Sequence, residues 1–277
     1  MRRCPVLLAG AVAQVVRDGE CSLTRVGEHI GLIGLNRPAR KNAIGRQLLS
    51  ELKECICYCR NPENQIRCVI VESRVDGVFC AGADLKERRG MTLVESRAYV
   101  EEQRDTLTAL EDLSQPTISA IEGAALGGGC ELALCTDIRI AGAGARFGLP
   151  ETGLAIIPGA GGTYRAPLVM GLSNALQLIL TADVVPAERA QRLGLVTELV
   201  PAGGASEAAL AVAGRIARNG PVAVAAAKAA VRGGFGRPRD EALDGELRLS
   251  QSLMETQDRM EGLQAFAEKR PPRYVGK

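Results

Sequence analysis

Two glutamates and two small-residue turns carry the chemistry that this sequence offers. Glu131 interrupts the apolar run CELALC, three residues after Gly128, so both share one face near the start of a predicted helix. A buried glutamate is costly unless it is paired or used. The plainer alternatives are an exposed helix position or a partner for the helix dipole. Glu151 follows ARFGLP at a Pro-containing turn, where it either caps that turn or joins Glu131. Two carboxylates sharing one water suit acid/base work. The glycines ahead of Glu131 are the second signal. Gly127, Gly128 and Gly129 stand together at the helix entrance, although glycine is about 1 kcal/mol worse than alanine inside a helix. A helix start leaves unpaired backbone N–H groups, and no side chain here blocks approach to them. That arrangement suits a developing oxyanion; the alternative is a helix packed tightly on a sheet. The turn Ala81-Gly82-Ala83 in FCAGADLKE offers a second set of N–H donors. Asp84 opens Asp84-Leu85-Lys86-Glu87, which has capping-box spacing.

The surrounding pattern predicts the elements that hold these residues. Residues 21–36 read as a hairpin about Gly27-Glu28, and NAIGRQLLSELKECICYCR has helical periodicity. IRCVIVES has the length and continuity of a buried strand, followed by a short strand at VFCAG. Leu93 to Leu113 reads as an amphipathic helix, TISAIEG as a strand and GGCELALC as a helix. DIRIAG and ARFGLP read as strands. Two helices about a turn near Asp183 and a last strand, LVTELV, complete an α/β body. After Pro201 four helical patterns follow, separated by Gly or Pro. The predicted division is a tail or targeting segment at 1–19, a core at 20–201 and a helical region at 202–277. No fixed-period repeat is visible in the residues.

Composition narrows the chemistry. The chain has 277 residues, 24% charged and 46% hydrophobic, with a net charge of +2. Nothing in that balance calls for nucleic acid or an anionic membrane, and no apolar run approaches the roughly 20 residues that span a bilayer. His29 is the only histidine, which excludes multi-histidine metal sites. The nine cysteines show no zinc spacing. Cys55 and Cys59 share a helix face and read as packing thiols in a reducing compartment, so no metal is expected. GAGARFG is not a dinucleotide fingerprint, and PGAGGTYR lacks the end of a P-loop. The N-terminus, with Arg2, Arg3 and Arg17 and no acid before Asp18, fits a mitochondrial presequence, a signal peptide or a plain tail. The end RYVGK is not a peroxisomal address.

NRPARKNAI, VFCAGADLKE, PTISAIEGAALGGGCELALCTDIRIA, ARFGLPETGLAIIPGAGGTYR and FAEKRPPRY together resemble the crotonase superfamily, in particular the enoyl-CoA hydratases. The motifs occur in family order and span nearly all of the chain after residue 20. The resemblance implies a spiral of ββα turns with a C-terminal helical region that builds trimers or hexamers. It implies an acyl-CoA substrate, with coenzyme A as part of that substrate and no separate cofactor. By the same resemblance Glu131 and Glu151 are the catalytic pair, and the N–H groups of Ala81 and Gly128 form the oxyanion hole. Ala81, Gly82, Ala83, Asp84 and Gly128 then line the substrate. Arg40, Lys41 and Lys86 are candidates for the coenzyme A phosphates, and Phe266 and Lys269 for the adenine end; each is otherwise a solvated or packing residue. The implied activity is hydration of 2-trans-enoyl-CoA in mitochondrial fatty-acid or branched amino-acid breakdown, with a cytoplasmic location as the alternative. Other enzymatic readings are a Δ3,Δ2-enoyl-CoA isomerase and a methylglutaconyl-CoA hydratase. The latter branch includes a member that binds AU-rich RNA, but the basic runs here are too short to favour an RNA partner. Tyr164 departs from the family's usual polar residue, either altering the acyl pocket or merely packing.

Overall fold

A computed structural model describes residues 13–277. The strands β1 (Ala13–Arg17), β2 (Cys21–Val26) and β3 (Ile30–Leu35) form an antiparallel meander. Helix α1 (Arg46–Arg60) then carries the chain to β4 (Cys68–Ser73), which lies parallel to β3. From β4 onward one unit recurs: a long strand, a short strand, then helix. β4 is followed by β5 (Val78–Cys80), α2 (Leu85–Arg89) and α3 (Leu93–Glu111). β6 (Thr117–Ile121) is followed by β7 (Ala124–Leu126) and α4 (Gly128–Leu134). β8 (Ile138–Gly142) is followed by β9 (Arg146–Gly148), α5 (Gly162–Met170) and α6 (Leu172–Leu180). β10 (Val184–Pro186), α7 (Ala187–Arg192) and β11 (Glu198–Val200) close the body. The long strands stand in the order β1-β2-β3-β4-β6-β8-β11, and the short ones in the order β5-β7-β9-β10. Each unit thus advances both sheets by one strand, which is the expected spiral of ββα turns.

The parallel strands are apolar on both faces because both faces are covered. Ile33, Leu35, Val69 and Val71 point into a core shared with Leu48, Leu52, Cys55 and Cys59 of α1. Their neighbours Leu32, Ile70, Ile118 and Ile140 point the other way, onto α8 (Ala205–Ala217). Ala205, Ala209 and Ala213 recur every four residues there, so this helix sits close against the sheet. Glu122 Oε1 accepts the Ala205 N–H at 2.9 Å and anchors the start of α8. The core therefore extends beyond residue 201, where the sequence suggested a boundary. α9 (Pro221–Gly234), α10 (Arg239–Ser252) and α11 (Gln257–Glu268) follow. No residue of α9 or α10 is buried, and Val231, Phe235, Leu247 and Met254 are exposed. Ion pairs from Lys228 and Arg232 to Asp137 tie α9 to the body at 2.8 and 2.7 Å.

The structure corrects the predicted tail at 1–19. Residues 13–17 are an edge strand paired with β2. Most of its side chains are exposed, so it is held by its backbone ladder and carries no apolar alternation to read. The segment 1–12 lies outside the described residues. β7 and β10 were also not foreseen; each is only three residues long. Cys55 and Cys59 are buried as expected, and Cys57 is exposed.

Candidate active site

Local sequence brings the two turns together. Gly127, at the head of α4, has φ +51°, a left-handed conformation that glycine adopts without a Cβ penalty. Gly129 faces β5 so closely that a Cβ there would stand 2.1 Å from the Cys80 carbonyl oxygen. Gly82, at φ +95°, crosses so near that a Cβ would stand 3.3 Å from the Gly128 nitrogen. Gly127, Gly128 and Gly129 thus have separate tasks: a bend, an open N–H and a close approach to β5. The Gly128 N–H and the Ala83 N–H have no acceptor among the described residues, and a Cβ on Gly128 would lie 3.5 Å from the Ala83 nitrogen. Two adjacent free donors therefore face a cavity of about 640 Å³.

Both glutamates line that cavity. Glu131 is buried, and its Oε1 accepts the Ala160 and Gly162 N–H groups, each at 2.8 Å. Burial raises its pKa, against the pull of those two donors and of Arg165. Arg165 supports the loop from behind, donating to the Ala160 carbonyl at 2.9 Å and to Glu111 at 2.7 Å. Glu151 comes from a 3-10 turn, Pro150–Leu154. Burial pushes its pKa up to about 7, and the nearby Glu131 charge adds to the rise. Its Oε2 is buried with no hydrogen-bond partner among the described residues. The rest of the wall is largely apolar, with Leu85, Val100, Leu126, Leu154, Ile156 and Ile157.

Glu151 ties stability to pH. Between its ordinary value of 4.5 and about 7, the folded chain binds more protons than the unfolded chain, so stability falls as pH rises through that window. Glu151→Gln is expected to raise Tm at about pH 8 and to reduce the slope of Tm against pH below about 7. A lower Tm at high pH would contradict a destabilising buried carboxylate.

Several expected site residues are placed differently. The Ala81 N–H donates to the Lys41 carbonyl at 3.1 Å, so it is not free for an oxyanion. Ala83, two residues on, has the free donor, because an alternating backbone sends Ala81 and Ala83 to different partners. Ala81 and Gly82 do line the cavity. Asp84 does not: its Oδ1 accepts the Lys86 and Glu87 N–H groups at 3.1 Å, and its Oδ2 pairs with Arg37 at 2.8 Å. It is the cap of α2, as its spacing allowed. Arg40, Lys41 and Lys86 lie beside this turn but are not in the cavity wall; Arg40 approaches Asp84 at 4.0 Å. Phe266, 86% exposed, and Lys269, the cap of α11, are not in the wall either. Tyr164 is 66% exposed and lines a different groove beside Arg165 and Arg232, outside the wall of this cavity.

Sequence reasoning missed Gln103 and Arg88, both in the wall. Gln103 sits on the buried face of α3 with Tyr99, Thr106, Leu107 and Leu110, where an amide among core residues was the available signal. A Cβ on Gly128 would stand 2.7 Å from its Nε2. Arg88 was hidden in the charged run Lys86–Arg89, where periodicity alone does not single it out.

Known proteins resemble this chain over most of its length. A family model described as enoyl-CoA hydratase/isomerase matches residues 25–277. The chain is 49% identical to a probable mitochondrial enoyl-CoA hydratase 2 of Arabidopsis thaliana, over 88% of this chain and 81% of that one. It is 42% identical to the mitochondrial methylglutaconyl-CoA hydratase of Mus musculus, over 96% of this chain and 87% of the relative. Among solved structures, the enoyl-CoA hydratase of Bacillus anthracis superposes with a TM-score of 0.91 at 43% identity, covering 94% of this chain and 100% of that one.

Proposed function

The chain belongs to the enoyl-CoA hydratase/isomerase family, and on that premise we propose how its cavity adds water across the 2,3 double bond of a 2-trans-enoyl-CoA. The observation that carries the residue roles is the meeting of two proton-affine carboxylates and two unpaired N–H donors at one apolar cavity. The thioester oxygen accepts from the Ala83 and Gly128 N–H groups. These donors stabilise negative charge on that oxygen as it develops, which makes the β-carbon electrophilic. Glu131, held by two backbone donors that favour its charged form, takes a proton from water as the oxygen adds to the β-carbon. Glu151, protonated near neutral pH, delivers its proton to the α-carbon. Water is thereby added as a whole, from the face of the double bond that the two glutamates share. The proton left on Glu131 returns to Glu151 before the next turnover.

The test is loss of the conjugated thioester absorbance of crotonyl-CoA with purified protein, followed against pH. Turnover is expected. If Glu151 is the proton donor, kcat/KM falls about tenfold per pH unit above its pKa of about 7. No turnover with coenzyme A thioesters still bound would overturn the reaction, and a rate rising steadily above neutrality would overturn the role of Glu151.

We further propose a mitochondrial matrix location in fatty-acid or branched amino-acid breakdown. Support comes from the mitochondrial names of the plant and mouse relatives; failure of the full chain to enter isolated mitochondria would count against it. A homotrimer or hexamer is supported by the exposed apolar residues Val231, Phe235, Leu247 and Met254 on and beside α9 and α10. A monomeric mass in sedimentation would remove that reading.

A further inference from the structure

Gln103 is the one amide side chain in the cavity wall. It lies on the buried face of α3 and is only 5% exposed. Polar neighbours on that helix are paired: the Tyr99 hydroxyl donates to the Ile44 carbonyl, and the Thr108 hydroxyl accepts from Arg165. The Gln103 carboxamide has no hydrogen-bond partner among the described residues. A buried amide in that state is costly, and its position in a cavity wall calls for a partner from outside the chain.

Three nitrogens surround one point beside that amide. A Cβ on Gly128 would stand 2.7 Å from Gln103 Nε2 and 3.5 Å from the Ala83 nitrogen. Covalent geometry puts the same point about 2.5 Å from the Gly128 nitrogen. The other near atom is a carbon, Ile44 Cδ1 at 3.5 Å, so donors meet there without an acceptor among them. Their spacing is held in advance. The Ile44 carbonyl takes the Tyr99 hydroxyl, one turn before Gln103, and also the Asp84 N–H at 2.9 Å. The Ile44 N–H in turn donates to the Gly82 carbonyl at 2.7 Å. Helix α3 and the turn that carries Ala83 therefore share one anchor. Donors fixed in this way need no reorganisation as charge develops. From this placement we propose that Gln103 is a third oxyanion donor, its Nε2 donating to the thioester oxygen alongside the Ala83 and Gly128 N–H groups. The inference rests on the hydratase reading of the same cavity and adds a catalytic side chain to it.

The test compares the unaltered full chain with Gln103→Met, which is similar in length and cannot donate. One readout is crotonyl-CoA hydration. The other is the infrared carbonyl stretch of bound acetyl-CoA, isotope-labelled at its thioester carbonyl. Acetyl-CoA has no double bond, so the stretch reports on the hole even if the hydration mechanism fails; that failure shows separately as absent turnover by the unaltered protein. Gln103→Met is expected to lower kcat about 10-fold to 100-fold, the effect of one hydrogen bond to a charged group, with a smaller change in KM. The bound carbonyl is expected to stretch at higher frequency than in the unaltered protein, because it has lost a donor. Tm of the free variant is expected not to fall, since a buried unpartnered amide has been removed; an amide that only braces the helix would lower Tm and leave the stretch unmoved. Gln103→Leu is the second variant should the first not fold. An unmoved stretch in a folded variant would overturn the contact, and with a raised KM it would assign Gln103 to another part of the coenzyme A thioester. An unchanged kcat would overturn the catalytic role. A stretch in the unaltered protein no lower than in water would overturn both.

Discussion

Glu131→Gln is expected to lower kcat for crotonyl-CoA hydration about 100-fold to 10,000-fold, the usual range for loss of a positioned general base, while the protein stays folded. The separation of the two effects follows from the geometry. Glu131 Oε1 accepts the Ala160 and Gly162 N–H groups at 2.8 Å, and a glutamine carbonyl oxygen can accept both. The loop behind the cavity, held from its other side by Arg165, keeps its place. What the amide lacks is basicity at the second atom. KM should therefore move little while kcat collapses, the pattern of an interaction made in the transition state. Glu131→Ala is a different experiment. It leaves two buried N–H groups without an acceptor, at about 1–3 kcal/mol each, and its lower activity would mix catalysis with stability. Near-normal turnover in a folded Glu131→Gln protein would remove Glu131 from the mechanism.

A pair of substitutions at Gly128 isolates the oxyanion donor. Gly128 is the first residue of α4, where proline is tolerated because that N–H has no partner within the helix. Gly128→Ala keeps the N–H and adds a Cβ that meets Gln103 Nε2 at 2.7 Å, the mobile end of a side chain. Gly128→Pro also adds a Cβ, removes the N–H and closes a ring of two further carbons, with Cδ standing where the hydrogen was. The proline variant is expected to show a kcat about 100-fold to 1,000-fold below that of the alanine variant, the range for loss of one oxyanion donor. Comparable Tm values would show that both fold. Equal kcat in the two variants would mean that the Gly128 N–H does not stabilise the thioester oxygen, and the hole would have to be sought elsewhere.

Much of this site was legible in the residues. A glutamate inside CELALC and a triple glycine ahead of it break the rules for an ordinary buried helix, and breaks of that kind mark function. The central strands were legible for a related reason. β3 and β6 are buried throughout and β4 in all but its last residue, and a strand covered on both faces reads as a nearly continuous apolar run. The short strands β7 and β10 left no such trace, since three residues hold too few positions for a period to appear. The edge strand β1 was missed because its side chains face water and its pairing is made by the backbone.

The sequence by itself determined the α/β body, the family motifs, the two glutamates and the glycine-rich helix entrance, because these depend on residue type and local spacing. Only the tertiary structure decided which N–H groups are free. Ala81 and Ala83 are the same residue type in one turn, yet Lys41 takes the first N–H and the second faces Gly128. The structure likewise turned Asp84 away to cap α2 and set Arg88 in the cavity wall. It also carried the core onto α8, past the boundary that composition suggested. The physical reason is common to all four. Hydrogen-bond partners and burial are set by atoms from distant parts of the chain, and adjacent residues of similar type can meet opposite surroundings.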